Sequence, residues 1–376
     1  KEKYLTAGNY AVSREKLLIV NEFVEYLLFL WWFSNGFKML ETLCRVDDTT
    51  TSSLLFILGF FAINFLISIP FSIYQKFKID SEFGFNNMTP KMFVVDMIKS
   101  VIIFLVFGGV VFTLLIFVIE NFISWWFWSA TLLLGVILLI NIIYPTLIAP
   151  IFNKFTPLDD IELKEKIEMM MKKVGLNSSG IFVMDASRRD TRLNAYFGGI
   201  GKSKRVVLFD TLIEKLSHKE LLSVLGHELG HYKHKDIWKN MAVIGGLIFL
   251  ALYIFGHLPQ NLFIEIGVTP NGGTILGMII LLLPPITFFY TPIISFVSRH
   301  NEYEADRFGS EMGGKENLIS ALLKLVKENK AFPKSDPIYS KFYHTHPPIL
   351  ERIEALGFDV KKKLPREGIF QFLDES

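Results

Sequence analysis

Leu221-Leu222-Ser223-Val224-Leu225-Gly226-His227-Glu228-Leu229-Gly230-His231 is an H-E-x-x-H sequence behind a run of apolar residues. At about 3.6 residues per helical turn, His227 and His231 fall on one face, so both imidazoles can reach a single metal ion. Glu228 lies about 100° round from His227, able to reach a water on that ion without being forced to ligate it. Ser217 and Glu220 predict a capping box and a helix that begins near His218. A metal site of this kind needs a third protein ligand and carboxylates that steady the imidazoles.

The surroundings of the motif are membrane-like. Of the 376 residues, 51% are hydrophobic and 36 are Phe, and the apolar residues gather in stretches long enough to cross a bilayer. Spans are expected over residues 17–40, 54–74, from about 101 to 119, from about 129 to Pro145–Pro150, and over 241–255 and 272–297. Thr89-Pro90 reads as the cap and first position of a helix that leads into the third span. A net charge of +2 argues neither for nucleic acid nor for a strongly acidic partner, and no nucleic-acid partner is expected. The single Cys44 excludes a disulfide framework and a cysteine zinc site, leaving His and carboxylates to hold any metal.

Residues 151–240 have the composition of a soluble α/β unit. An amphipathic helix is predicted over 158–174, stopped by Gly175, with short strands at 180–185 and 205–209 and a third over Asn194–Phe197. The chain thus divides into a four-span region (1–150), this unit with the motif helix (151–240), two further spans (241–298) and a charged, mainly helical remainder (299–376). The links at 41–53, 120–128 and 256–272 hold one basic residue among them, Arg45, whereas the other flanks are rich in Lys and Arg. Six spans with both ends and the motif helix on the cytoplasmic side satisfy that asymmetry.

Past the last span stands Ser298-Arg299-His300-Asn301-Glu302-Tyr303-Glu304-Ala305-Asp306-Arg307. If the span continues as a helix, Glu302 and Asp306 share a face one turn apart, so one can ligate the metal while the other steadies an imidazole. His218, His234 and His300 are expected to be solvated or interfacial. Gly201-Lys202-Ser203 lacks the rest of a phosphate loop, since Tyr196 stands where that motif needs Gly. Asn64 and Asn141 are expected either to bond across helices or to line a wet interior.

The H-E-x-x-H sequence, two spans, the Glu302–Asp306 segment, Asn194-Ala195-Tyr196-Phe197 and His346-Pro347-Pro348-Ile349-Leu350-Glu351-Arg352 together resemble the type 1 CAAX prenyl endopeptidases, over nearly the whole chain. The resemblance implies a mainly α, polytopic membrane bundle enclosing a chamber, with a small α/β zinc-metalloprotease domain on the cytoplasmic side of the bacterial inner membrane or the endoplasmic reticulum. It implies one zinc held by His227, His231 and Glu302, Glu228 as catalytic base and Asp306 supporting a ligand. It also implies that Asn194 is on an edge strand that holds substrate backbone, with His346 and Arg352 beside the scissile bond. The family usually has seven spans and six are read here, so a helix ahead of Lys1 is expected to be missing. The implied activity is cleavage near the C-terminus of lipidated, CAAX-type or other membrane-associated peptides. An HtpX-type protease of damaged membrane proteins keeps the chemistry and changes the substrates. A transporter or channel requires ionisable residues along the spans, and almost none are found there.

Overall fold

The computed structural model describes residues 2–176, 179–201, 204–259, 261–333 and 335–358, with the side chains of 2–4 excepted. Lys202, Ser203 and the last part of the expected C-terminal helical region, 359–376, lie outside the described residues. Among the described residues six helices are long and apolar enough to cross a membrane: Leu5–Cys44, Thr49–Asp80, Pro90–Asn121, Trp125–Phe152, Asp236–Gly256 and Gly272–Gly313. Each outruns the apolar stretch that announces it, because the polar flanks stay helical. The second continues to Asp80 through a widened turn over Gln75–Asp80. The third starts at Pro90, where the Thr89 hydroxyl accepts from the Met92 N–H as the sequence predicts.

The helices are arranged as a ring. The second packs on the third, the third on the fourth, the fourth on the fifth, the fifth on the sixth and the sixth back on the second, while the first leans on the second. Buried residues gather at the end remote from the motif, among them Phe56, Ile57, Phe60, Ile116 and Met278. There the Glu120 carboxylate accepts from Ser53 Oγ (3.0 Å) and the Gly272 N–H (3.3 Å), tying three helices together. Nearer the motif the packing loosens: no residue of Pro90–Gly108 is buried. The result is a bundle closed at one end and hollow towards the other. Asn64 and Asn141 bond neither across helices nor to each other; each donates to the carbonyl four residues back, at 2.7 and 2.8 Å.

At the open end sits the α/β unit. Its four-stranded sheet has the order β1-β2-β4-β3, with β1 at Phe155–Pro157, β2 at Ile181–Met184, β3 at Ala195–Gly198 and β4 at Arg205–Phe209. β2 and β4 run parallel, while β1 and β3 pair antiparallel at the two edges. β1 escapes the sequence reading because three residues ending in Pro carry no alternation, and only an edge tolerates that Pro. The amphipathic helix runs Ile161–Lys173, later than expected because the Asp160 carboxylate caps it, and Gly175 ends it at φ +68°. Leu163, Ile167, Val206, Leu208, Leu212, Leu221, Leu225 and Leu229 form one core between sheet, amphipathic helix and motif helix. Ion pairs bolt the unit to the membrane helices: Arg189 to Asp96 at 2.8 Å, Arg192 to Asp80 at 2.8 Å and Lys76 to Asp190 at 3.1 Å.

Candidate metal centre

The motif helix spans His218–Lys233 with the expected capping box: Ser217 and Glu220 each bond the other's backbone N–H. It crosses the sixth membrane helix, which runs unbroken through Val297 to Gly313 and carries Glu302 and Asp306 inward. Small residues make the crossing close. Gly226 faces Gly309, Gly230 faces Ala305, and Gly313 faces Ser223; a Cβ on Gly230 would lie 2.8 Å from Ala305 Cα, and one on Gly309 would lie 2.7 Å from the His227 nitrogen. Backbone contact of this kind is what small residues four apart permit on two facing helices. It brings a carboxylate of one helix up to two imidazoles of the other.

His227 Nε2 and His231 Nε2 stand 3.2 Å apart. Glu302 closes the triangle, with Oε2 3.6 Å from His227 Nε2 and Oε1 3.4 Å from His231 Nε2. The three ligand atoms lie within 4.8 Å of one another. Both rings are steadied from behind. His227 Nδ1 lies 2.9 Å from Asp306 Oδ1, and His231 Nδ1 lies 2.8 Å from Asp236 Oδ2. Asp236 and Asp306 are 3% and 2% exposed, so each imidazole is held as an Nδ1–H donor with its Nε2 lone pair turned to the centre.

This donor set fits a divalent cation. Two lone pairs and a carboxylate converge with nothing between them, and the buried Glu302 Oε2 has no hydrogen-bond donor. Burial pushes the His231 pKa down, yet the hydrogen bonds to Asp236 and Glu302 outweigh it and push it up to about 10. Without a cation the centre carries its positive charge as a proton on His231, which a bound cation would displace, freeing the Nε2 lone pair. Nitrogen and oxygen donors in this number, with one side open to a cavity, fit a hydrolytic metal site.

That side is a cavity of about 610 Å³ lined by Glu228, Asn194, Ala195, His346 and Arg352 as well as the ligands. Burial raises the Glu228 carboxyl above its ordinary range, against the pull of His227 and His231. His346 is 69% exposed and meets Glu302 Oε1 at 2.9 Å. Arg352 is largely buried and grips Asp306 with two bonds of 2.7 and 2.6 Å, its Nη1 lying 3.3 Å from Glu302. Asn194 immediately precedes β3 rather than lying within it, and its Oδ1 accepts from the Ala195 N–H at 2.8 Å. Seven of the eight site residues singled out in the sequence therefore line one cavity, and the eighth, Asp306, lies behind His227. His218 lies instead against Asp160 at 3.0 Å, and His234 and His300 lie 4.0 and 3.7 Å from Glu304.

Asp236 is the residue that sequence reading missed. Lys235 adopts φ +58°, breaking the motif helix and turning the next residue back under His231, where helical periodicity no longer applies. The available signal was an acidic residue at the start of an apolar span, which also suits a helix N-terminus.

A family model described as peptidase family M48 matches residues 157–358, and one described as CAAX prenyl protease N-terminal, five membrane helices, matches residues 1–154. CAAX prenyl protease 1 of Saccharomyces cerevisiae is 32% identical over 96% of this chain and 87% of its own length. The Homo sapiens CAAX prenyl protease 1 homolog is 34% identical, covering 81% of this chain and 74% of its own. The crystal structure of S. mikatae Ste24p matches with a TM-score of 0.87 and 32% identity, over 95% of this chain and 89% of that one. Matched along both halves by family models and relatives alike, this chain belongs to peptidase family M48, as a membrane metalloendopeptidase of the CAAX prenyl protease 1 type.

Proposed function

We propose that the chain is a zinc endopeptidase that cuts prenylated peptides near their C-terminus, with its active site facing the cytoplasm. The observation that carries this reading is the convergence of His227, His231 and Glu302 within 4.8 Å beside a cavity that Glu228 also lines. Zinc bound there supplies a Lewis acid that lowers the pKa of water towards about 7 and polarises the scissile carbonyl. Glu228 takes the proton of the attacking water and passes it to the leaving amine, a task favoured by its raised pKa. His346 stabilises the charge that develops on the carbonyl oxygen, since its exposed ring can turn from Glu302 towards substrate. Arg352 adds fixed positive charge beside the same oxygen while holding Asp306 against His227.

Asn194 and the open edge of β3 hold the substrate backbone in extended form. The cavity also reaches Ile237, Asn240 and Ser298 on the fifth and sixth membrane helices, so a lipid attached to the peptide would lie beside the membrane helices. The relatives are named CAAX prenyl proteases, which supports a prenyl group as that lipid. The links at the closed end hold one basic residue among them, Arg45, which supports a topology with that end outside and the metal centre inside.

The test compares a farnesylated C-terminal peptide with its unlipidated twin, using zinc-loaded protein in lipid vesicles. Preferential cleavage of the farnesylated peptide, abolished in Glu228→Gln, is the expected result. Equal turnover of both peptides refutes the prenyl specificity and favours surveillance of damaged membrane proteins.

A further inference from the structure

The open edge of β3 has a built stop. In the ladder between β3 and β4, Ala195 faces Leu208 and Tyr196 faces Val207, while the Phe209 N–H bonds the Asn194 carbonyl at 3.1 Å. Asn194 and Tyr196 therefore turn their backbone groups to β4, and by strand alternation Leu193, Ala195 and Phe197 turn theirs to the open side. At Leu193 that side is already filled. The Asn329 side chain, at the end of the helix Lys315–Glu328, accepts from the Leu193 N–H at 2.8 Å and donates to the Leu193 carbonyl at 3.1 Å. This amide makes both bonds that another strand would make. Leu193 and Asn329 line the same cavity as Glu228 and the ligands.

Behind the clamp the wall is braced. The Asn329 N–H closes its own helix on the Leu325 carbonyl at 2.9 Å, and the Thr191 N–H bonds the Phe85 carbonyl at 3.1 Å. Lys330 and Arg192 stack on the Phe85 ring at 4.3 and 4.1 Å. A peptide paired antiparallel to β3, the more stable mode, runs with its C-terminal end towards Leu193. Backbone pairing is open to it along Phe197 and at the Ala195 carbonyl, whereas the Ala195 N–H is taken by Asn194 Oδ1 at 2.8 Å, and pairing ends at the clamp.

We infer that Asn329 is a positioning residue that ends the substrate-binding edge and so limits how much chain follows the scissile bond. The inference rests on the peptidase reading above and adds a length rule to it.

The experiment measures kcat/KM for zinc-loaded wild type, Asn329→Ala and Asn329→Asp on substrates lengthened one residue at a time beyond the scissile bond. A parallel series is lengthened at the N-terminal side. Wild type is expected to lose activity steeply with C-terminal extension only. Both variants flatten that dependence, about five- to tenfold for the longest member, which matches the loss of one or two hydrogen bonds at the edge. The Asp variant keeps the size of the side chain and opposes the Leu193 carbonyl with a second acceptor, so agreement between the two separates the clamp from simple loss of packing. An unchanged length profile, a uniform fall across both series, or a flattening confined to N-terminal extension overturns the inference. Failure of wild type to cleave any member, or cleavage by Glu228→Gln, instead sinks the peptidase reading on which it stands.

Discussion

At the residue scale, two carboxylates near the metal centre carry different tasks and so different expected defects. Glu228→Gln keeps the shape of the side chain and the three ligands but has no basic oxygen to receive a proton. Zinc content measured on the purified variant stays at the wild-type level, while turnover falls at least about 10²–10⁴-fold. Asp236→Asn should show the opposite pattern. The Asp236 carboxylate fixes the His231 ring at 2.8 Å, so its loss weakens metal affinity by about 10- to 100-fold, read by competition with a chelator. Added zinc then restores much of the activity. Equal chelator sensitivity in wild type and Asp236→Asn contradicts that assignment. His227, Glu228 and His231 were legible from spacing alone, because one helix turn sets their relations. Asp236 was not, since a left-handed residue intervenes.

The scale of elements shows why two helices far apart in sequence meet so closely. The seam of Ser223, Gly226 and Gly230 against Gly313, Gly309 and Ala305 leaves no room for a methyl group: on Gly313 it would lie 2.4 Å from Ser223 Cα. Gly309→Ala must push the helices apart, costs about 1–3 kcal/mol and lowers both thermal midpoint and metal occupancy. Gly246→Ala, at a membrane-helix position with nothing within 4 Å, serves as the control and should change neither. The seam was present in the sequence as small residues four apart, but nothing local says that two such stripes face each other.

The start of the motif helix gives a pH prediction. Burial disfavours the Glu220 charge, yet hydrogen bonds from Ser320, Lys324 and Ser217 prevail and lower its pKa from the ordinary 4.5 to about 2. The folded value lies below the unfolded one, so the stabilisation is complete above about pH 4.5 and disappears as pH falls towards 2. Its size is on the order of 1–3 kcal/mol, and Glu220→Gln should flatten the acid limb of a thermal-midpoint profile by that amount. An identical acid limb in the variant removes Glu220 from this role. Ser217 and Glu220 were readable as a capping box; the tether to Ser320 and Lys324, about a hundred residues away, was not.

For the whole molecule, hydrophobic length alone gave the six membrane helices and their order, since a bilayer demands runs of that size. The closed ring, the hollow towards the metal centre and the clamp on Leu193 depend on contacts between distant segments, which periodicity does not encode. The family resemblance supplied the chamber and the grouping of Asn194, His346 and Arg352 with the motif, and the described residues do meet around one cavity. Among the described residues, the membrane helices, the four-stranded sheet and the motif helix together bring His227, His231 and Glu302 within 4.8 Å of one another, the arrangement proposed to hold one ion. Metal analysis of wild type beside Glu302→Ala, both purified in detergent and exposed to equal zinc, tests that claim most directly. One zinc per chain in wild type and a large loss in the variant is the predicted result; stoichiometric zinc in Glu302→Ala would contradict it.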